Sequence, residues 1–298
     1  MRTFFVVLAA PLFIACTGSV QVQASASVEA GGGAPAPSAV SAEDQPKADS
    51  SSSITIRYAP PAVGKTITRK RENTLTAHLT SGKGMTLTVH TVSERTLKAL
   101  AVTGDRVDKI EVKFVAEETT VFAGKNKSKS FQLPVAGRTF VLARGVVRPR
   151  VFAAEGVPAS PKDSALVAQL VPRIDEDEGI ENGGFPTGSI AVGDRVTTLE
   201  RTLAWELARM SGAGTVRSLT IKLAELRDGA SGREAVFAID LAFTELQGDL
   251  RFDEQLTGTM VCRADGHLVS MKAKGPAVIE GPFGRADGTQ EMTVTETE

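Results

Sequence analysis

The sequence predicts a mainly β protein in which two repeated antiparallel β units form a curved sheet or half-barrel, with one helix between the units. The first observation is a repeated Ala-Val-Gly phrase, at residues 62–64 and again at residues 191–193. With a one-residue gap at Asn73, the two copies stay in register as far as Leu79 and Leu207. The second is that apolar and polar residues alternate with period two after Ile54. The third is that one segment between the copies carries clear helix signals.

The N-terminal residues 1–16 have the features of a secretion signal. Arg2 precedes an apolar run over residues 4–14, which is too short to span a membrane comfortably. The run ends at Cys16, and this ending resembles the bacterial lipoprotein signal, in which a small residue precedes a Cys that is lipidated. The resemblance implies lipidation of Cys16 and, because Thr17 follows, an outer-membrane position in a Gram-negative-type envelope. The alternative is an ordinary signal that is cleaved near residues 24–26.

Residues 17–53 are rich in Ser, Ala, Gly and Pro and contain almost no large apolar side chain. Such a segment buries too little surface to offset the entropy of ordering. We therefore predict a disordered tether that holds a folded domain near the membrane.

Residues 54–157 are predicted to form the first β unit. Leu87 and Val89 alternate with polar neighbours, as do Ile110, Val112 and Phe114. Gly-containing turn sequences at residues 81–84, 103–105 and 124–127 separate the apolar runs. Half-buried antiparallel strands are the expected structure.

Residues 158–184 are predicted to contain the helix and an acidic linker. Ser160 offers an N-cap, Pro161 suits the first helical position, and Pro172 ends the helix. The linker places Asp175, Asp177 and Glu181 at spacings that resemble part of a Ca²⁺ loop, although the remaining ligands of an EF-hand are missing. A solvated linker is the favoured interpretation, and we expect no metal.

Residues 185–298 are predicted to form the second β unit, with clear strands at residues 219–223, 237–243 and 269–274. Residues 205–210 have a helix-like composition, but their register with residues 77–79 predicts a strand. Cys262 aligns with Leu142 of the first unit, which predicts a small buried apolar residue and not a reactive thiol.

Composition and motifs argue against several functions. Lys plus Arg number 34 and Asp plus Glu number 35, so no overall field attracts nucleic acid. Aromatic residues make up only 5% of the chain, which disfavours stacking platforms for sugars or single strands. Nothing places His78, His90 and His267 together with a carboxylate or Cys at ligand spacing, and no nucleophile elbow, P-loop or zinc motif occurs. We expect no enzymatic activity and no cofactor, although a hydrolase with scattered residues is a third hypothesis.

Two basic clusters, residues 69–71 and 125–129, suit either contact with anionic headgroups or solvated strand edges that discourage pairing. Strand edges are the favoured interpretation.

The chain from Ile54 onward loosely resembles the bacterial lipoprotein-carrier and mycobacterial-type lipoprotein folds, in which a curved antiparallel sheet with a helical lid cradles acyl chains. It also resembles bacterial lipoproteins whose two β units each open with a short phrase such as residues 63–67 or 192–196. The resemblance implies a membrane-anchored, non-catalytic envelope protein that binds a lipid or other hydrophobic ligand. The alternative is a structural or protein-interaction role with a closed core and an envelope protein as partner.

Overall fold

The computed structural model describes residues 52–79, 85–123, 126–145, 149–171, 185–211, 214–230, 232–282 and 284–298. The predictions for the signal peptide, Cys16, nearly all of the tether and the acidic linker with Asp175, Asp177 and Glu181 lie outside these residues. The tether prediction ends at Ser53, which the structure places in a short strand.

In the first half of the chain, the described residues form seven strands and one helix. Their bounds are β1 Ser53–Ile54, β2 Thr66–Leu79, β3 Met85–Thr103, β4 Arg106–Ala123, β5 Asn126–Gln132, β6 Thr139–Ala143, β7 Arg150–Ala153 and α1 Pro161–Leu170.

In the second half, the described residues form six strands and a helix. Their bounds are β8 Ile190–Ala191, α2 Thr197–Ser211, β9 Thr215–Gly229, β10 Gly232–Gln247, β11 Leu250–Arg263, β12 Leu268–Gly281 and β13 Gly284–Thr297.

One curved antiparallel sheet of 11 strands dominates the fold, which confirms the predicted class. Its order is β7-β6-β4-β3-β2-β13-β12-β11-β10-β9, with β5 beside β4. The chain therefore runs from the centre of the sheet to one edge, crosses over, and returns from the opposite edge to the centre. Strand β2 pairs with β13 there, and the sheet does not close because β7 and β9 remain at its two edges.

The two Ala-Val-Gly phrases form the same turn. Gly64 has a φ of 88° and Gly193 a φ of 96°, a conformation that favours glycine. The N–H of Gly64 donates to the carbonyl of Ala99, whose own N–H donates to the carbonyl of residue 65. In the second copy, the N–H of Gly193 donates to the carbonyl of Leu223, whose own N–H donates to the carbonyl of residue 194. The phrase thus marks where each half of the sheet begins.

The prediction of a strand at residues 205–210 is wrong, because these residues belong to helix α2. The described residues therefore contain two helices, whereas the sequence predicted one. Leu199, Leu203 and Leu207 are spaced four residues apart, which places them on one side of a helix against the core of the second half. Glu200 reinforces this arrangement, since its carboxylate accepts the N–H of Ile221 on β9 at 2.8 Å.

Helix α1 confirms its predicted signals. The hydroxyl of Ser160 accepts the N–H of Asp163 at 3.2 Å, Pro161 occupies the first turn, and the helix ends one residue before Val171. Arg138 fixes the same turn through a bidentate pair with the Asp163 carboxylate, at 2.7 and 2.9 Å.

Both helices pack on the same face of the sheet, which we call the inner face. Leu199 of α2 packs in a core with Ile221 and Phe237, and the short strands β1 and β8 add Ile54 and Ile190 to that core. Val167 of α1 packs in a separate core with strand residues such as Val112, Phe114 and Phe140.

Three glycines bend the second half of the sheet. Gly258, Gly275 and Gly288 lie on β11, β12 and β13, and the strand pairings place them one step apart along a diagonal. A Cβ at these positions would lie 1.9, 1.7 and 2.0 Å from a backbone oxygen of the next strand. Only glycine permits this close approach, so the diagonal is a line of sharp bending.

Candidate functional site

The inner face carries two buried acids in an apolar region of β10 and β11. Glu254 lies directly opposite Phe243 on β10 and Ala277 on β12. Its residue surface is 1% exposed, and neither carboxylate oxygen has a hydrogen-bond partner among the described residues. Buried polar atoms are normally satisfied, so such a group calls for an occupant or a change of protonation.

Glu245 is the second acid. It lies opposite Phe252, two residues from Phe243, which makes it the diagonal neighbour of Glu254 on the same face. One oxygen, Oε1, accepts a hydrogen bond from the Nε2 of Gln247 at 2.9 Å. The other, Oε2, is buried and has no partner in the part of the chain that the structure describes.

The surroundings of the acids change their protonation. Burial, together with the smaller effect of the Glu245 charge, raises the pKa of Glu254 to about 8. Burial also raises the pKa of Glu245 to about 7, against the opposing effect of the Gln247 hydrogen bond. Because each carboxyl disfavours ionisation of the other, the pair holds at least one proton near neutral pH.

A line of small residues leads away from Glu254 across the sheet. The strand pairings place Ala277, Gly288 and Ala77 in one row that continues to Leu87. Larger inner-face residues flank the row on both sides: Phe252 and Ile279 on one side, Leu256 and Leu75 on the other. The row is therefore the least bulky part of the inner face, and its residues Ala77 and Ala277 are buried in one core cluster with most of these larger side chains.

Gln290 lies on β13 beside this row of small residues, directly opposite Leu75 on β2. Its Nε2 donates to the Oδ1 of Asn73 at 2.7 Å. Its Oε1 is buried without a partner among the described residues, and the residue is 0% exposed. The region thus presents a further acceptor atom that no donor of the described residues reaches.

Buried ion pairs occupy the other end of the inner face. Arg69 pairs with Glu296 across β2 and β13, and Arg95 donates to Glu117 at 2.6 Å. Arg95 also donates to the carbonyl of Leu170 at 2.6 Å, so it ties the C-terminal end of α1 to the sheet. We assign this cluster a structural role.

The same cluster corrects the prediction that residues 69–71 mark a strand edge. Strand β2 is paired on both sides, with β3 and β13, and the side chain of Arg69 is only 7% exposed. Residues 69–71 are central because β13, which carries Glu296 and comes from the distant end of the chain, pairs with β2. Of the second cluster, Lys129 lies on β5, which pairs with β4 outside the main strand order. Its ammonium lies 4.9 Å from the Phe131 ring centroid.

The structure keeps the three histidines apart. His78 and His90 lie on the face opposite the helices and each shares a hydrogen bond with a threonine, at 2.9 and 3.0 Å. The Nε2 of His267 lies 2.7 Å from the carbonyl oxygen of Ala59 in a turn. Cys262 is buried in the core of the second half, which confirms its predicted role as a small apolar residue.

Two further observations concern the described ranges only. They contain no group of three or more His, Cys, Asp or Glu side chains arranged to hold a metal ion. They also contain no helix that is both long and apolar enough to cross a membrane.

The sequence did contain a signal for the buried acids. In β10 the inner-face positions are Phe237, Ile239, Leu241 and Phe243, and Glu245 is next in the same alternation. In β11, Glu254 stands between Phe252 and Leu256. Each acid stands at a position where the alternation of the strand expects an apolar side chain. That mismatch would have identified both residues.

Comparison with solved structures finds distant neighbours, among them an outer membrane channel and a β-barrel-like protein. No protein family model matches the chain, and no curated protein matches it. DynF from the dynemicin biosynthesis pathway of Micromonospora chersina is 7% identical, with 81% of this chain and 88% of that chain covered, at a TM-score of 0.22. An outer membrane channel from Pseudomonas putida F1 is 10% identical, with 80% and 98% covered, at a TM-score of 0.18. A β-barrel-like protein of unknown function from Brucella abortus is also 10% identical, with 79% and 97% covered, at 0.18. Similarities this weak carry no argument about activity.

Proposed function

We propose that this protein is an envelope lipoprotein, anchored at the outer membrane through Cys16, whose β domain is a non-catalytic module for a hydrophobic ligand. The observation that carries the proposal is the set of buried, unpartnered oxygens of Glu245 and Glu254 in an apolar region of the inner face. A ligand with an apolar body and a polar end would satisfy these atoms within their apolar surroundings.

Two other features support the proposal. The sheet is curved and does not close, so its inner face can admit an occupant by movement of an edge or a helix. The predicted lipid anchor and tether would hold such a module beside a source of hydrophobic molecules.

The second candidate is a structural or protein-interaction lipoprotein. It is favoured by the burial of inner-face residues without any ligand, since Leu75 and Phe252 are each 1% exposed. In this case the core is complete and function lies on an outer surface or at the edge strand β9.

The experiment that separates the two candidates is native mass spectrometry of the full chain purified from its own envelope in mild detergent. The proposal expects an added mass that organic extraction recovers as a hydrophobic compound. A Cys16→Ala form, purified without detergent, controls for membrane lipid carried along by the anchor. If both forms show only the mass of the protein, the structural role is correct and the ligand proposal is wrong.

A further inference from the structure

We propose that Glu245 and Glu254 bind the ammonium group of a long-chain amine, so that the hydrophobic ligand is a cationic amphiphile. This inference rests on the proposed function and specifies the head group of its ligand.

The number and type of unpartnered atoms support an ammonium group. Oε2 of Glu245 and both carboxylate oxygens of Glu254 are buried acceptors without a donor among the described residues. A primary ammonium has three N–H donors and no acceptor, so it matches this set one to one. Hydrogen bonds between an ammonium and a carboxylate are also among the stronger ones.

The surrounding charges favour a cation over an anion. The residues opposite the two acids on neighbouring strands are Phe243, Phe252 and Ala277, which carry no charge. Within the described ranges, the neighbouring charges on these strands are on the other face, where Asp253 pairs with Arg251 at 2.8 Å and with Arg217 at 3.7 Å. No described cation faces the acids from the inner side. An incoming carboxylate would therefore add a third negative group to a buried pair, whereas an ammonium neutralises it.

The row of small residues is the course that we assign to the alkyl chain, which would displace the larger side chains that now bury Ala77 and Ala277. It starts at Glu254 and continues through Ala277, Gly288 and Ala77 to Leu87, from β11 to β3. Four strand spacings of about 4.8 Å give it a length of roughly 19 Å, which is the scale of a long acyl or alkyl chain. Phe252, Ile279, Leu256 and Leu75 supply apolar walls.

Protonation makes the binding pH-dependent. Glu245 and Glu254 carry raised pKa values because they are buried, so they hold protons near neutral pH in the unliganded protein. An ammonium favours their ionised forms, and its binding must release protons. Affinity for an amine should therefore increase as pH rises from about 6 to about 8, whereas affinity for an uncharged amphiphile should change little.

The test is a calorimetric titration of the full-length protein, first freed of co-purified ligand, with dodecylamine, dodecanol and dodecanoic acid at about pH 6 and about pH 8. We expect dodecylamine to bind at least about tenfold more tightly than dodecanol at the higher pH, with a weaker preference at the lower pH. The double variant Glu245→Gln and Glu254→Gln should lose this preference but still bind dodecanol. Glu225→Gln, which changes an exposed carboxyl on β9, should behave as the unmodified protein.

The outcomes separate the inference from the proposed function. If dodecanol or dodecanoic acid binds as tightly as the amine at both pH values, the head-group inference is wrong and the binding module stands. If none of the three amphiphiles binds, both proposals are wrong. Circular dichroism checks that the double variant folds, and the single variant Glu254→Gln, which keeps a side chain of the same shape, repeats the comparison if it does not.

Discussion

Glu254 places a carboxyl group where water does not reach it and no described protein donor compensates for its charge. Its environment favours the protonated form, and burial raises its pKa to about 8. Because the folded state holds this proton more tightly than the unfolded state, the contribution of Glu254 to stability is full below the ordinary pKa of 4.5. That contribution is lost as the pH rises through about 8.

The first prediction concerns this pH dependence. Glu254→Gln removes the need to hold a proton, so we expect the free energy of unfolding at about pH 8 to rise by about 1–4 kcal/mol. At about pH 5 the change should be much smaller. Urea denaturation at both pH values measures the difference, with Glu225→Gln as the control. Equal effects of Glu254→Gln at the two pH values would contradict the assigned environment.

The bending glycines provide a second prediction. Gly275→Ala would place a Cβ 1.7 Å from the carbonyl oxygen of Gln255, and the backbone must move to relieve this contact. We expect a loss of about 2–4 kcal/mol in the free energy of unfolding, measured by thermal or urea denaturation. Gly188→Ala is the matched control, because a Cβ there meets no atom within 4 Å. Similar stability of the two variants would show that the sheet is not sharply bent at Gly275.

These residues mark the limit of sequence-based prediction at this scale. A glycine within a strand pattern suggests a bulge or a close approach, but the diagonal of Gly258, Gly275 and Gly288 exists only through the pairing register. Glu245 and Glu254 are similar, since the alternation places each on the inner face while only the pairing makes them neighbours.

At the level of elements, helix α2 shows where a repeat misleads. The Ala-Val-Gly turn is the same in both halves, yet β2 follows the first copy and α2 follows the second. The residues after Gly64 alternate with period two, through Leu75, Ala77 and Leu79. Leu199, Leu203 and Leu207 instead recur every four residues, and this local pattern determines the structure. Both halves begin with the same turn against a strand. The element that follows the turn differs between the halves.

The third prediction tests the helical assignment. Leu199 is 0% exposed in the core, whereas Arg201, two residues later, is exposed. Leu199→Ala should lower the free energy of unfolding by about 2–5 kcal/mol, and Arg201→Ala should change it by less than about 0.5 kcal/mol. In a half-buried strand these two positions would lie on the same face and would respond alike. Comparable losses for both variants would therefore favour the strand.

For the whole molecule, the class of fold was predictable and the order of strands was not. Alternation identified β3, β4, β9, β10 and β12, and the helix signals at Ser160 and Pro161 located α1. No local pattern indicates that β13 pairs with β2, because that contact joins segments more than 200 residues apart, as in the hydrogen bond from Arg69 to Glu296 at a separation of 227. Long-range pairing of this kind depends on how all the strands assemble into the sheet, and no local stretch of sequence determines it.

The fourth prediction concerns the anchor. Cys16 is expected to carry lipid, so the full chain should sediment with membranes and incorporate a labelled fatty acid. Cys16→Ala should abolish the label and release the protein from the membrane fraction, because the tether and β domain have no other predicted anchor. Cys262→Ala leaves the predicted anchor intact and serves as the control. Persistent labelling of the Cys16→Ala form would exclude this residue as the site.

The central position of β13 also affects how the protein is made. Every other strand of the sheet precedes β13 in the chain, so during synthesis β2 keeps one row of backbone N–H and C=O groups open until β13 emerges. Over the same interval Arg69 lacks the carboxylate of Glu296. Open edges of this kind recruit other chains. A nascent or truncated polypeptide without β13 should therefore aggregate or depend on a holding chaperone, and arrival of the last strand completes both the hydrogen bonding of β2 and the charge pairing of the core.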